Sequence, residues 1–330
     1  MRRRGNNSRK ILLARFFRKL GADSLKFRNL NRGPTLQTAE TAQKVRQSSQ
    51  QSNQVANLPW AHLRLPPFPQ VALRVLQLAN DENVSYPELC KLIATDPAFS
   101  SEVLTVANSI LYAPRYPSSS ILQAITVMGA KALQGMCLTV GVRAYLGKTM
   151  NMKAMRTLWQ HNLACAMIAE KLGSTGLIDK DVAYSSGILH DMGRMALAVV
   201  QPKPYAALLE KHQGSPASIL EGERDLFGWD HCETGKKLVT DWQLPDTFDP
   251  VVSEHHAERR TDGAWSLAEL IKVSCKLADA AGYPSFAGCE AVPYEALLEE
   301  LPARERRLFY SDVATLSSEI GERIRVVDSV

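Results

Sequence analysis

Five of the chain's seven histidines stand in one ordered series with two aspartates: His161, the pair His190-Asp191, His231, the doublet His255-His256 and, last, Asp279. Imidazole and carboxylate groups of this kind hold divalent metal ions when several elements of a fold carry them to one point. The series therefore asks for a fold that returns to the same place several times, each time on a rigid element.

The surrounding pattern makes those elements helices. Apolar residues recur at three- and four-residue spacings, and the period-two alternation of strands is rare. Val71, Leu73, Val75, Leu76 and Leu78 fill a first helix that ends at Asn80-Asp81, and Leu89, Leu92 and Ile93 mark a second. Asp96-Pro97 opens a third, with Asp96 as N-cap and Pro97 at the first helical position, where its missing N–H does no harm. Its apolar stripe is Phe99, Val103, Leu104, Val106, Ala107 and Ile110. Further helices are predicted over 120–128, 130–147, 155–172, 180–191, 194–201, 204–212, 215–227, 231–241, 246–256, 265–281 and 303–326. Turn residues such as Gly129, Gly147, Gly173, Gly193, Gly228, Pro245 and Gly263 separate them. The expected fold class is all-α: a two-lobed, multi-helix bundle with lobes over 58–150 and 151–281 and a helical extension over 282–330.

Residues 1–57 differ in kind from the bundle. The whole chain carries a net charge of +5, yet residues 1–50 hold 13 Lys or Arg against only Asp23 and Glu40, which leaves the remaining 280 residues at −6. Ile11, Leu12, Leu13, Phe16, Phe17 and Leu20 alternate with Arg9, Lys10, Arg15, Arg18 and Lys19, as in a short basic amphipathic helix that could contact an anionic membrane surface or nucleic acid. The plainer reading is a disordered basic tail. Residues 34–57 are rich in Gln, Ser, Thr and Asn and read as a linker, so the first 57 residues are expected to be dispensable for folding. The acidic body lacks a recognition motif for nucleic acid.

The six cysteines, Cys90, Cys137, Cys165, Cys232, Cys275 and Cys289, form no Cys-x-x-Cys pair and read as reduced thiols. No apolar run is long enough to span a bilayer and no secretory signal opens the chain, so a cytoplasmic location is expected.

His161 shares a helix face with Leu158, Cys165, Ile168 and Leu172, which should point into the core. Alone, such a histidine is more often a hydrogen-bonded core residue than a ligand. His190-Asp191 changes the weighting, because a carboxylate after the small, apolar run Val182-Ala183-Tyr184 to Ile188-Leu189 is costly to bury unless a cation compensates it. Gly193 is expected to stop the helix and leave both side chains at the site.

In the context Gly187-Ile188-Leu189-His190-Asp191-Met192-Gly193-Arg194, the chain resembles the HD superfamily of metal-dependent phosphohydrolases. His161 matches that pattern's early His, His190-Asp191 its His-Asp pair, and Asp279 its late Asp; His231, His255 and His256 resemble second-metal ligands of the HD-GYP phosphodiesterases. Within the superfamily the likeness is strongest to the HDOD domain, a bacterial signalling module, over roughly residues 62–260. It is carried by Leu65-Pro66-Pro67-Phe68-Pro69, Asp96-Pro97-Ala98, Ala107-Asn108-Ser109, Leu158-Trp159-Gln160-His161, Phe227-Gly228-Trp229-Asp230-His231 and Glu254-His255-His256. Two departures separate the chain from the catalytic relatives. Arg194 stands where they place a Lys, and their Gly-Tyr-Pro is replaced after the His doublet by Ala257-Glu258-Arg259-Arg260, while Gly282-Tyr283-Pro284 falls on the far side of Asp279.

The resemblance implies two functional readings. In the first, the chain is a non-catalytic regulatory module that contacts a signalling protein, and any metal is structural or vestigial. In the second, Asp191 bridges two divalent ions, with His161, His190 and Asp279 completing one site and His231, His255 and His256 the other. There Arg194 neutralises the phosphate of a nucleotide or cyclic dinucleotide. The metal would be Fe, Mn, Mg or Zn, as one ion, two or none, and a homo-oligomer is compatible with either reading. The departures favour the first.

Overall fold

The computed structural model describes residues 67–78, 85–109, 116–257, 265–309 and 312–328, all within the compact unit Gln51–Val330. The basic segment 9–20, the linker 34–57, Leu65-Pro66, Asn80-Asp81, Ile110, Glu258-Arg259-Arg260 and Gly263 lie outside the described residues.

Sixteen α-helices and no strand occur among the described residues, as the spacing of apolar residues predicts. The first five are α1 (Gln70–Leu78), α2 (Tyr86–Ile93), α3 (Pro97–Ala107), α4 (Ile121–Met128) and α5 (Ala130–Leu146). Asp96 caps α3 as expected, accepting the Phe99 N–H at 3.0 Å with Pro97 in the first turn. α5 is buried on nearly every side, with Leu133 through Val142 all enclosed, and it links the early helices to the rest. Phe68 helps to anchor the start of the described chain, its ring in tilted contact 5.6 Å from Tyr145 and 5.0 Å from Trp242.

The second group is α6 (Lys153–Gly173), α7 (Lys180–Leu189), α8 (Met192–Val200), α9 (Pro202–Lys211), α10 (Ile219–Phe227), α11 (His231–Asp241), α12 (Asp249–Glu254) and α13 (Leu267–Ala280). One continuous set of buried side chains, from Phe68 to Val327, runs through the helices on both sides of residue 150. The tightest helix pair is α6 on α7. A Cβ added to Gly187 would lie 2.4 Å from the Ala166 Cα, so these two backbones touch only because Gly187 has no side chain.

The chain then forms α14 (Tyr294–Glu299), α15 (Ala303–Phe309) and α16 (Val313–Asp328). The single helix expected over 303–326 is thus two, because Asp312 accepts the Thr315 N–H at 2.9 Å and caps a new start. α16 returns to α6, where Trp159 Nε1 donates to Asp328 Oδ1 at 3.0 Å. No helix among the described residues is long and apolar enough to cross a membrane.

Gly187→Ala is expected to cost about 3 kcal/mol through overpacking of backbone on backbone. Gly135→Ala should cost less, since its Cβ would meet the Tyr184 ring edge at 2.9 Å and a side chain can move. Urea unfolding of both variants checks the order.

Candidate metal centre

The His/Asp series enters the interior from several helices and the corners between them. α6 supplies His161 from a face shared with Leu158, Cys165, Ile168 and Leu172, all fully buried as the spacing predicts. α7 ends at His190, and Asp191 is the residue from which α8 starts, so the pair occupies the corner between two helices. Gly193 is not the stop expected of it. It lies inside α8, where an added Cβ would fall 1.9 Å from the His231 carbonyl oxygen and 2.6 Å from the Gly235 nitrogen. Its absent side chain lets the first turn of α8 rest on the first turn of α11, which brings Asp191 to His231.

Local sequence fixes the other positions in the same way. Gly228 ends α10 in the left-handed region at φ 79°, and Asp230 forms a reciprocal cap with Glu233 that starts α11 at His231. α12 ends at the His255-His256 doublet. α13 carries Cys275 and, one turn later, Asp279.

The histidines share an orientation. His161 Nδ1 donates to the Tyr283 carbonyl at 2.8 Å, His190 Nδ1 to Gly187 at 2.7 Å and His255 Nδ1 to Val251 at 3.0 Å, while His231 Nδ1 pairs with Glu223 Oε2 at 2.6 Å. Outer nitrogens anchored on carbonyls or carboxylates turn the Nε2 atoms inward, as metal-binding imidazoles require. His231 Nε2 then lies 3.4 Å from His255 Nε2, 3.0 Å from His256 Nε2 and 3.5 Å from Asp191 Oδ1, and His255 Nε2 is 3.4 Å from the same oxygen. One ring nitrogen cannot satisfy three such neighbours by donating a proton. Donors held ~2.1 Å from a tetrahedral ion stand ~3.4 Å apart, so this group fits a divalent metal.

The remaining residues form a second group. His161, His190 and Cys275 approach one another, with Cys275 Sγ 3.3 Å from His161 Nε2, and His190 Nε2 lies 3.5 Å from Asp191 Oδ2 with no hydrogen-bond partner. Asp279 reaches this group from behind, its Oδ1 3.4 Å from His161 Nδ1 and accepting the Ser285 N–H at 2.9 Å. Arg194 is fully buried beside both groups, with Nη1 3.3 Å from Asp191 Oδ2, Nη2 3.5 Å from His231 Nε2 and Nε 3.8 Å from Glu223 Oε1.

Burial alone would keep Asp191 and Glu223 neutral. Arg194 and His190 outweigh it at Asp191 and hold that carboxyl well below the usual range, while His231 and Arg194 hold Glu223 below its own. Burial also opposes charge on His231, but Glu223 prevails and raises the ring to about 10. A metal taken at His231 Nε2 therefore displaces a proton. His190 moves the other way, lowered by burial to about 3. Burial, reinforced by Asp279, pushes the Cys275 thiol up.

Glu223 and the cysteines beside the histidines, Cys275 and Cys232, are absent from the series read in the sequence. Glu223 had a signal, because it lies four residues from both Ile219 and Phe227 and so puts an acid on the buried face of α10. Tyr205 donates to its Oε1 at 2.5 Å. The cluster is also approached from outside, through a cleft of about 240 Å³ lined by His255, His256, Lys272, Cys275, Lys276 and Asp279.

Fold and cluster together define a helical histidine–aspartate protein of the HD type. More particularly, the chain belongs to the HDOD domain family, whose pattern matches residues 65–258, more than half of its length. An uncharacterized protein of Treponema pallidum (strain Nichols) is 23% identical over 198 residues, 58% of this chain and 37% of that relative, so the chain spans little more than a third of the relative's length. A crystal structure of an HDOD domain protein from Geobacter sulfurreducens is similar with a TM-score of 0.64 and 24% identity, over 85% of this chain and 98% of that one. A Shewanella amazonensis SB2B protein, named a candidate metal-dependent phosphohydrolase, is similar at 0.59 and 19%, over 83% and 99%. At these identities the two crystal structures share the fold with this chain.

Glu223→Gln keeps the shape of the side chain but leaves Arg194 and His231 without their second carboxylate. The variant is expected to lose about 3 kcal/mol, as when one member of a buried ionic group is removed. Urea denaturation of variant and wild type measures the difference.

Proposed function

We propose that the chain is a regulatory module of the HDOD type that acts by contact with a signalling protein and does not turn over a phosphoester. The observation that carries this reading is the position of Arg194. The cation that would have to meet a substrate phosphate has no exposed surface, and Asp191, Glu223 and His231 already surround it. A phosphate reaching it would have to enter a closed interior where Asp191 and Glu223 already compensate the guanidinium charge, although Nε and Nη1 make no hydrogen bond there.

His231, His255, His256 and Asp191 are the residues that would hold a metal, with His161 and His190 beside them. A bound divalent ion would supply a cross-link among the helices α7, α8, α11 and α12. The chain's own residues prepare the site for it: Gly187, Val251 and Glu223 fix the ring orientations, and Gly193 sets the spacing of α8 and α11.

The second reading, a metal-dependent phosphohydrolase, is favoured by the cleft at His255 and His256, where Lys272 and Lys276 bring positive charge to the opening. Lys276 is paired with Glu300 at 3.1 Å, and Lys272 donates to the Ala257 carbonyl. The candidate phosphohydrolase from Shewanella shares the fold and adds the same suggestion.

Hydrolysis assays separate the two. With Mn²⁺ or Fe²⁺, the full chain is expected to release no product from a chromogenic phosphodiester, a nucleotide or a cyclic dinucleotide. Metal-dependent turnover by the wild type that disappears in Asp191→Ala would establish the phosphohydrolase instead.

A further inference from the structure

We infer that residues 9–20 are a membrane-docking segment, which lays an apolar face into a bilayer rich in anionic lipid and sets its arginines and lysines against the headgroups. This role is separate from the use of the histidine–aspartate cluster.

The pattern of the segment has two faces. At about 100° per residue, Leu12, Leu13, Phe16, Phe17 and Leu20 fall within one arc of about 140°, and Arg15, Arg18 and Lys19 fall on the opposite side. Large apolar groups on one face and cations on the other suit a helix lying in the plane of a membrane surface. Ile11 falls among the cations. Arg9 is in line with the apolar face one turn before Leu13, where a long apolar stem carries its charge out to the headgroups. Because Arg15, Arg18 and Lys19 break the apolar residues into short runs, the segment is too polar to span the bilayer.

Charge selects the lipid. Residues 1–32 hold 11 Lys or Arg against Asp23 alone, whereas residues 51–330 hold 26 basic and 32 acidic groups. An anionic surface thus attracts the segment while it repels the net charge of the body. Among the described residues no helix is long and apolar enough to cross a membrane, so contact through residues 9–20 is peripheral. The polar stretch 34–57 separates the segment in sequence from α1.

Nucleic acid would use only half of this pattern. A phosphate backbone is bound through the cations and leaves the apolar face in water. Stacking on bases would engage Phe16 and Phe17 but not Leu12, Leu13 or Leu20. An anionic bilayer engages both faces at once.

Co-sedimentation of the full chain with lipid vesicles is the test. Binding is expected to phosphatidylcholine vesicles that contain about one-third phosphatidylglycerol, and not to phosphatidylcholine alone. Phe16→Ser combined with Phe17→Ser should weaken binding at least about tenfold, through the lost burial of two rings. Arg15→Gln, Arg18→Gln and Lys19→Gln together should weaken it about a hundredfold. Leu308→Ser, at an exposed apolar residue of the body, should leave it unchanged. Each protein is also titrated with a DNA duplex of random sequence, and vesicle binding that falls in the phenylalanine variant while duplex binding does not would support the lipid surface. The substituted residues of the segment lie outside the described residues, and the comparison of the two vesicle types needs no variant. No binding to either vesicle, equal binding to both, undiminished binding by the phenylalanine or the charge variant, or duplex binding without vesicle binding would each overturn the assignment.

Discussion

A single buried carboxylate organises the second half of this molecule. Asp191 is 1% exposed, at the corner between α7 and α8, and transferring an ionised carboxylate from water to such a place is prohibitive without a compensating cation. Compensation comes from one turn along α8, where Arg194 is committed to the same interior. That guanidinium needs a further anion, which α10 provides as Glu223, and Glu223 in turn needs the His231 ring and the Tyr205 hydroxyl. Each residue is tolerable in the core only because the next is there, so the network ties α8, α9, α10 and α11 together through polar contacts that none of them could bury alone.

Close approach of backbones makes the network possible. Side chains as short as Asp191 and rings anchored on their own helices cannot reach across ordinary helix spacings. Gly187 lets α7 sink onto α6, and Gly193 lets α8 meet α11, each at a point where a methyl group would collide with main chain. Both lie within three residues of His190-Asp191 in sequence. The small residues around the pair are therefore part of the site's geometry and not only a way of filling the core.

How far this could be read from sequence follows from the same physics. Helices with one apolar face, such as α10, announce themselves by spacing, and the Asp96 and Gly228 punctuation marks a helix start and a helix end. The convergence of His161, His190, Asp191, His231, His255 and His256 was legible because they stand in the order that the HDOD pattern preserves. Contacts made by a residue outside that pattern were not. Glu223 and Cys275 look like ordinary members of amphipathic helices until the packing angle of α10 and α13 is known, and helical periodicity does not encode that angle. The role of Gly193 was misread for a related reason: a glycine near a helix end suggests a stop, whereas close packing against α11 is a tertiary fact.

The substitution of Arg for Lys after the His-Asp pair gains its meaning from this geometry. A lysine would present one compact ammonium, able to pair with Asp191 or to turn toward a ligand, and burial would draw its charge down. The arginine fork touches Asp191, His231 and Glu223 at once and remains charged in the interior, where those carboxylates push it further above its ordinary value. A cation with acidic or imidazole neighbours on three sides stabilises the arrangement of helices, and its burial keeps it from solvent. In the regulatory reading proposed above, this residue serves the packing of the cluster and not an incoming phosphate.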